Sequence, residues 1–172
     1  LVWTTTPWTL PGNVAVAAHP DVEYVVVRVE GGSDERLILA KELIPLFFGE
    51  TKVDVLTTLQ GKALEGKKYS PLYSFMPPDK PAHYVVNADY VTTSDGTGLV
   101  HIAPAFGMDD MQVSKTYDLP VLLTIDDEGK FKPAISPWAG MFVKDADPLI
   151  MDDLKQRGLL FNRATITHTY PF

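Results

Sequence analysis

Apolar residues along this chain come in short, closely spaced runs. Residues 22–29 (VEYVVVRV), 37–40, 53–59, 84–91, 98–103, 121–125 and 159–166 are rich in β-branched and aromatic side chains, the composition of a pleated, half-buried strand. Turn chemistry separates them at Gly31-Gly32, Gly49, Gly66, Pro77-Pro78, Asp95-Gly96 and Glu128-Gly129, where glycine supplies positive φ and proline halts a ladder. Many short strands at such intervals predict a mainly β fold with a compact, barrel-like core. Helical signals interrupt the pattern three times. Residues 41–48 predict a short helix. Residues 109–117 predict another, entered through paired aspartates as a helix N-terminus favours. The third has Asp147 as cap, Pro148 in first position, apolar Met151 and Leu154 on one face and Gly158 as the stop. The expected architecture is therefore β with peripheral helices, α+β in character, and residues 1–172 are read as one domain.

Composition narrows the function classes. With 172 residues, 45% of them hydrophobic, the chain can bury a full core. No apolar run approaches membrane-spanning length and no signal-peptide order is visible. The absence of cysteine removes disulfide and thiolate chemistry and fits a cytoplasmic setting. A formal charge of −7 argues against a stand-alone nucleic-acid binder, since phosphate neutralisation supplies most of such affinity. Leu1-Val2-Trp3 starts inside an apolar strand and Tyr170-Pro171-Phe172 ends on bulky residues, so a domain of a longer protein is expected.

Two stretches stand out chemically. "WTTTPWTLPGN" (3–13) lines up Thr4, Thr5 and Thr6 ahead of Pro7 and Trp8. In an extended segment Thr4 and Thr6 share one face and Thr5 takes the other. "GTGLVHIAPAFGMDD" (96–110) sets His101 in an apolar strand, breaks at Pro104-Ala105-Phe106-Gly107 and enters a helix through Asp109 and Asp110. Small residues before a helix let another molecule approach the backbone closely. Hydrolase elbows, zinc-binding pairs and phosphate-binding loops are absent from the sequence, and four scattered histidines do not make a metal site. Any catalysis must use hydroxyls, a carboxylate, histidine and water. A strand histidine packed for structure, capping aspartates and strand-forming threonines are the plainer alternatives, and Tyr69, Tyr73 and Phe75 read as loop packing without a role.

Together these two stretches, with the late "RGLLF" and closing "HTYP", resemble the editing domain (connective peptide 1) of class I isoleucyl-tRNA synthetases over essentially the whole chain. Valyl and leucyl relatives usually carry arginine where Thr6 precedes Pro7, and Pro-Ala-His-Asp where this chain has Pro104-Ala105-Phe106-Gly107. The resemblance implies hydrolysis of valine wrongly attached to isoleucine tRNA, in a pocket that admits valine and excludes one further methylene. Alternatives are a valyl or leucyl editing domain, or a module that only docks the tRNA acceptor end. The resemblance further implies that Asp110 holds the substrate's α-ammonium and that Thr4, Thr5 and Thr6 position ester, ribose and water. It implies that His101 bounds the side-chain pocket, and that Trp8, Phe106 and Tyr170 line the substrate site, with Asp109 as a helix cap. No metal and no cofactor are expected. The expected partners are the acceptor end of isoleucine tRNA, touched through scattered cations such as Lys62, Lys67, Lys68, Arg157 and Arg163, and the rest of the parent synthetase; no membrane is involved and the fragment is expected to be a monomer.

Overall fold

The computed structural model describes residues 1–163 of the 172. Among these the α+β expectation holds, with the strands arranged as two three-stranded sheets rather than a closed barrel. In the first sheet, β1 (Ala15–Ala18) is central, parallel to β5 (Tyr84–Asn87) and antiparallel to β6 (Leu99–Ile102). In the second, β2 (Glu23–Val29) lies between β3 (Leu37–Ala40) and the eight-residue β4 (Val53–Gln60), all antiparallel. A register shift at Val26/Val27 bends the β2–β4 pair.

Tyr24 ties the two sheets together. Its ring is fully buried in β2, its hydroxyl donates to the Gly98 carbonyl at the entry to β6, and the hydroxyl oxygen also accepts the His19 N–H at 3.0 Å. Gly98 has φ +77°, and a Cβ there would stand 2.7 Å from the Ala40 Cβ. Only glycine meets both conditions, so the start of the histidine-bearing strand is fixed by a backbone requirement.

Several elements depart from the sequence expectation for identifiable reasons. β1 is built of Ala-Val-Ala-Ala. It is buried along its whole length, so it lacks both the alternation and the β-branched composition that mark a strand. The strand expected over 84–91 ends at Asn87, and the chain turns at Asp89-Tyr90. Residues 121–125 do alternate, Leu122 and Thr124 buried and Val121 and Leu123 exposed. They pair only through an isolated Ile125–Phe131 bridge, because no strand lies alongside. Residues 159–163 are irregular, and the rest of the strand expected there lies outside the described residues.

The helices form close to where they are expected. A 3-10 turn at Lys41–Leu43 leads into α1 (Ile44–Phe48), and α2 spans Met108–Tyr117. The third, α3 (Val143–Gln156), begins four residues before the expected cap, so Pro148 is internal and Asp147 is not a cap. Asp147 instead accepts the backbone N–H of Trp8 at 2.8 Å. Val143, Ala146, Ile150 and Leu154 recur at helical spacing and are buried against Leu10, Phe131, Ile135 and Trp138. Gly158, at φ +69°, ends the helix as expected.

Candidate functional site

The first segment enters beside β6. Trp3 pairs with Val100 in a single parallel bridge, donating its N–H to the Leu99 carbonyl at 2.9 Å. The chain then leaves the sheet at the threonines. The Thr4 hydroxyl accepts the Thr6 N–H at 3.1 Å, a side-chain-closed turn of the kind serine and threonine favour. Pro7 starts a 3-10 helix, Pro7–Gly12, whose fixed φ suits a first helical position. Thr4 and Thr6 are half-buried while Thr5 is exposed, but the segment turns instead of running extended, so all three border the same space.

Opposite this turn, β6 delivers His101 and the following loop delivers Phe106, Gly107 and Asp110. A cavity of about 230 Å³ lies between them, lined by Trp3, Thr4, Thr5, Thr6, Thr9, Val100, His101, Ala103, Phe106, Gly107 and Asp110. Six of the residues singled out in the sequence, Thr4, Thr5, Thr6, His101, Phe106 and Asp110, thus meet around one space. Trp8 does not line it. Its indole stands behind Phe106, ring centroids 5.0 Å apart and edge-on, within the cluster beneath α3. The indole N–H is buried without a partner among the described residues. Tyr170 lies outside the described residues.

Asp110 sits in the first turn of α2 but does not cap it. Gly107 is the N-cap and no side chain bonds there. Asp109, expected to be a cap, is exposed. Asp110 Oδ2 reaches back to accept the Ala103 N–H at 2.8 Å, while the Tyr90 hydroxyl lies 3.5 Å from Oδ1. Burial raises the Asp110 carboxyl above its ordinary value, an effect opposed by these two donors and reinforced by Asp109. Its charge is therefore incompletely compensated. Gly107 packs hard against it, since a Cβ there would lie 3.2 Å from Asp110 Cγ.

His101 is buried at 6% exposure with both ring nitrogens engaged. Nδ1 is 2.8 Å from Asn13 Nδ2, and Nε2 is 2.9 Å from Thr9 Oγ1. Burial lowers its pKa to about 4, so the ring is neutral at physiological pH. A neutral ring held at both nitrogens forms a fixed wall and offers no proton to a reaction. Thr9, Asn13, Tyr69 and Tyr90 are the contributors that sequence reasoning assigned no role. Thr9 and Asn13 lie inside the first quoted stretch, but nothing in their spacing tells a hydroxyl or amide that meets His101 from one that faces water. Tyr69 and Tyr90 come from distant loops and carried no local signal.

Among the described residues no three His, Asp or Glu side chains are grouped as a cation would require, and no helix is long and apolar enough to cross a membrane.

This arrangement has known counterparts in fold. The domain GlLeuRS-CP1 superposes with a TM-score of 0.73 at 17% identity, covering 100% of this chain and 84% of that one. The editing domain of the P. falciparum cytosolic leucyl-tRNA synthetase gives a TM-score of 0.68 at 10% identity, covering 90% of this chain and 75% of that one. The fold is therefore that of the editing domains of aminoacyl-tRNA synthetases. Sequence places the chain within that class: it is 51% identical over 172 residues to the isoleucine–tRNA ligase of Clostridium novyi, 47% over 171 to that of Thermus thermophilus and 44% over 182 to that of Pyrococcus horikoshii, in each case across 99% of this chain. The chain belongs with the isoleucine–tRNA ligases, as a segment spanning 16–17% of the length of these relatives. No protein-family model matches it.

Proposed function

We propose that this chain is the editing domain of a longer isoleucyl-tRNA synthetase and hydrolyses valyl esters of isoleucine tRNA. The carrying observation is a cavity of about 230 Å³ on which the threonine turn, His101 and Asp110 all converge. Valine differs from isoleucine by one methylene, which a synthetic site rejects only weakly, and this enzyme family is itself the standard illustration of that limit. A second, small site works in reverse. It admits the smaller side chain and excludes the larger by overpacking.

In this reading Asp110 anchors the α-ammonium. A part-buried carboxylate whose charge is met by only two donors gains a strong charge-assisted bond when a cation arrives. His101 and Phe106 bound the side-chain space. Thr4, Thr5 and Thr6 present neutral hydroxyls to the ester carbonyl, the terminal ribose and the attacking water. Water adds to the carbonyl carbon, the ribose oxygen leaves with a proton, and free valine and intact tRNA result. The ester is already activated, so alignment of water and a neighbouring ribose hydroxyl supplies the rate and no covalent nucleophile is required. The acceptor end of isoleucine tRNA is the partner, held mainly by the rest of the synthetase, and the domain acts in the cytoplasm as a monomeric unit without metal or cofactor. The identity of about half to isoleucine–tRNA ligases favours this over a valyl or leucyl assignment.

The test is a calorimetric titration with non-hydrolysable valyl-adenosine and isoleucyl-adenosine analogues. Binding of the valyl form alone, lost in Asp110→Ala, is the expected result. Equal binding of both forms, or binding indifferent to Asp110→Ala, would leave acceptor-end docking as the better reading.

A further inference from the structure

We propose that Tyr69 is a positioning residue of the cavity: acting through Asn13, its hydroxyl fixes where the His101 ring stands, with Nδ1 turned to the Asn13 amide. Tyr69 lies in the stretch before β5, more than fifty positions from Asn13 in sequence. Its place is built by neighbours. Its N–H donates to the His83 carbonyl at 3.0 Å, and its ring meets the His83 ring edge-on with centroids 5.9 Å apart. His83 in turn donates from Nε2 to the Asn13 carbonyl at 3.2 Å, so the same pair grips Asn13 by backbone and side chain.

Donor and acceptor roles along this chain of bonds are forced from both ends by backbone carbonyls, which only accept. At one end, Asn13 Nδ2 lies 2.8 Å from the Ala15 carbonyl. The nitrogen must therefore occupy that side of the amide, and Oδ1 faces Tyr69. Oδ1 carries no proton, so the Tyr69 hydroxyl donates to it, at 2.6 Å. The other Nδ2 hydrogen then points at His101 Nδ1, which must accept. At the other end, the Thr9 hydroxyl is 2.8 Å from the Thr6 carbonyl and spends its only proton there. Thr9 Oγ1 therefore accepts from His101 Nε2, which must carry the proton. Two independent constraints select the same tautomer. The Thr6 hydroxyl, 3.2 Å from Thr9 Oγ1, ends the run at the cavity.

Removing the Tyr69 hydroxyl leaves Asn13 Oδ1 without its donor, so the amide is held from the Ala15 carbonyl side alone and can shift against the ring. The bond from Nδ2 to His101 Nδ1 then weakens and the ring can move, while Thr9 still keeps the proton on Nε2. Tyr69 and Asn13 stand outside the cavity that holds Asp110, although they line a larger adjoining groove with the threonines and His101, and the effect of Tyr69 on the Asp110 cavity passes through the wall that His101 forms. The consequence for selectivity rests on the function proposed above, whereas the tautomer does not.

The experiment is 15N NMR of the histidine rings in the 172-residue chain and its Tyr69→Phe variant, with hydrolysis of valyl and isoleucyl esters of the tRNA acceptor end measured on both. The unsubstituted chain should show His101 as a single Nε2–H tautomer, and the Tyr69 hydroxyl proton should exchange slowly and give a cross-peak to the Asn13 side-chain amide. Tyr69→Phe should keep the Nε2–H tautomer, shift and broaden the His101 Nδ1 signal and narrow the valyl-over-isoleucyl ratio of kcat/KM by about tenfold, the size of an unmet buried hydrogen bond. An Nδ1–H tautomer in the unsubstituted chain, or no hydroxyl cross-peak, would overturn the assignment without any variant being needed. A folded Tyr69→Phe variant with unchanged His101 signals and unchanged ratio would overturn it while leaving the editing function intact. Failure of the unsubstituted chain to hydrolyse either ester would count against the editing function alone, and the ring spectra would still decide the role of Tyr69.

Discussion

At the scale of single residues, His101 carries the plainest solution signature. Its burial holds the imidazole down to about 4 from an ordinary 6.5. Between these values the unfolded chain takes up a proton that the folded chain refuses. The stabilising effect is therefore complete above pH 6.5 and is lost as pH falls toward 4, amounting to roughly 3 kcal/mol across that interval. Urea unfolding at stepped pH should show the decline, and His101→Gln should remove this part of the slope. A profile equally steep in the variant would assign the decline to other groups. Thr9 offers a second check. Thr9→Val keeps the volume but removes the acceptor for His101 and the donor to the Thr6 carbonyl, so the midpoint should fall by an amount equivalent to about 1–3 kcal/mol. Retained stability would mean that water replaces the hydroxyl.

At the scale of elements, the threonine turn is held from behind by α3. Asp147 Oδ1 accepts the Trp8 N–H at 2.8 Å, and Lys144 lies 3.8 Å from the other carboxylate oxygen. Burial raises the Asp147 carboxyl, opposed by the Trp8 N–H and by Lys144. Asp147→Ala should cost about 1–2 kcal/mol in thermal or urea unfolding, the loss of one charge-assisted bond to a half-buried N–H. It should also lower valyl-ester hydrolysis at unchanged Asp110, because the turn is then free to shift. Full activity in that variant would show that Pro7 alone keeps the segment in place. This contact also shows what was legible in the sequence. Asp147 before Pro148 carries every mark of a helix start, yet the apolar positions Val143 and Ala146 extend the same buried face by another turn. Packing against Leu10 and Trp138 outweighed the local signal. The strands β2 to β6 were readable because their β-branched and large apolar residues mark them whether or not one face is wet. β1 was not, because four small residues buried on both faces leave no period to detect. For the cavity, the threonines, His101, Phe106 and Asp110 were readable as a cluster. Tyr69 and Tyr90 were not, since their partners lie in other segments of the chain.

At the scale of the whole molecule, charge sets how the chain would meet RNA under the proposed function. The net charge is −7 with 15 basic residues. Six of these, Arg28, Lys41, Lys80, Lys130, Lys144 and Arg157, lie within 4.0 Å of a carboxylate. Arg157 is committed further, donating to Asp153 at 2.9 Å and to the Leu72 carbonyl at 2.7 Å, with its guanidinium 5.1 Å over the Tyr73 ring. Two of its five N–H donors are thereby engaged within the chain. Lys62, Lys67 and Lys68 are exposed around the 3-10 turn Gly61–Ala63, and none of them pairs with a carboxylate among the described residues. Each neutralised phosphate contributes a slope of about −0.7 to −0.9 to the logarithmic dependence of binding on salt. Isoleucine tRNA should accordingly bind the 172-residue chain weakly, with a slope no steeper than about −3, and replacing the three lysines with alanine should flatten it further. Fluorescence anisotropy over a salt series measures this directly. A slope of about −6 would require a wider phosphate-binding face than this surface provides. The editing chemistry would then not depend on the rest of the synthetase to bring its substrate. Under the proposed function, a shallow slope would leave the cavity to recognise the aminoacyl end by shape and ammonium charge, with the phosphate grip supplied by other parts of the synthetase.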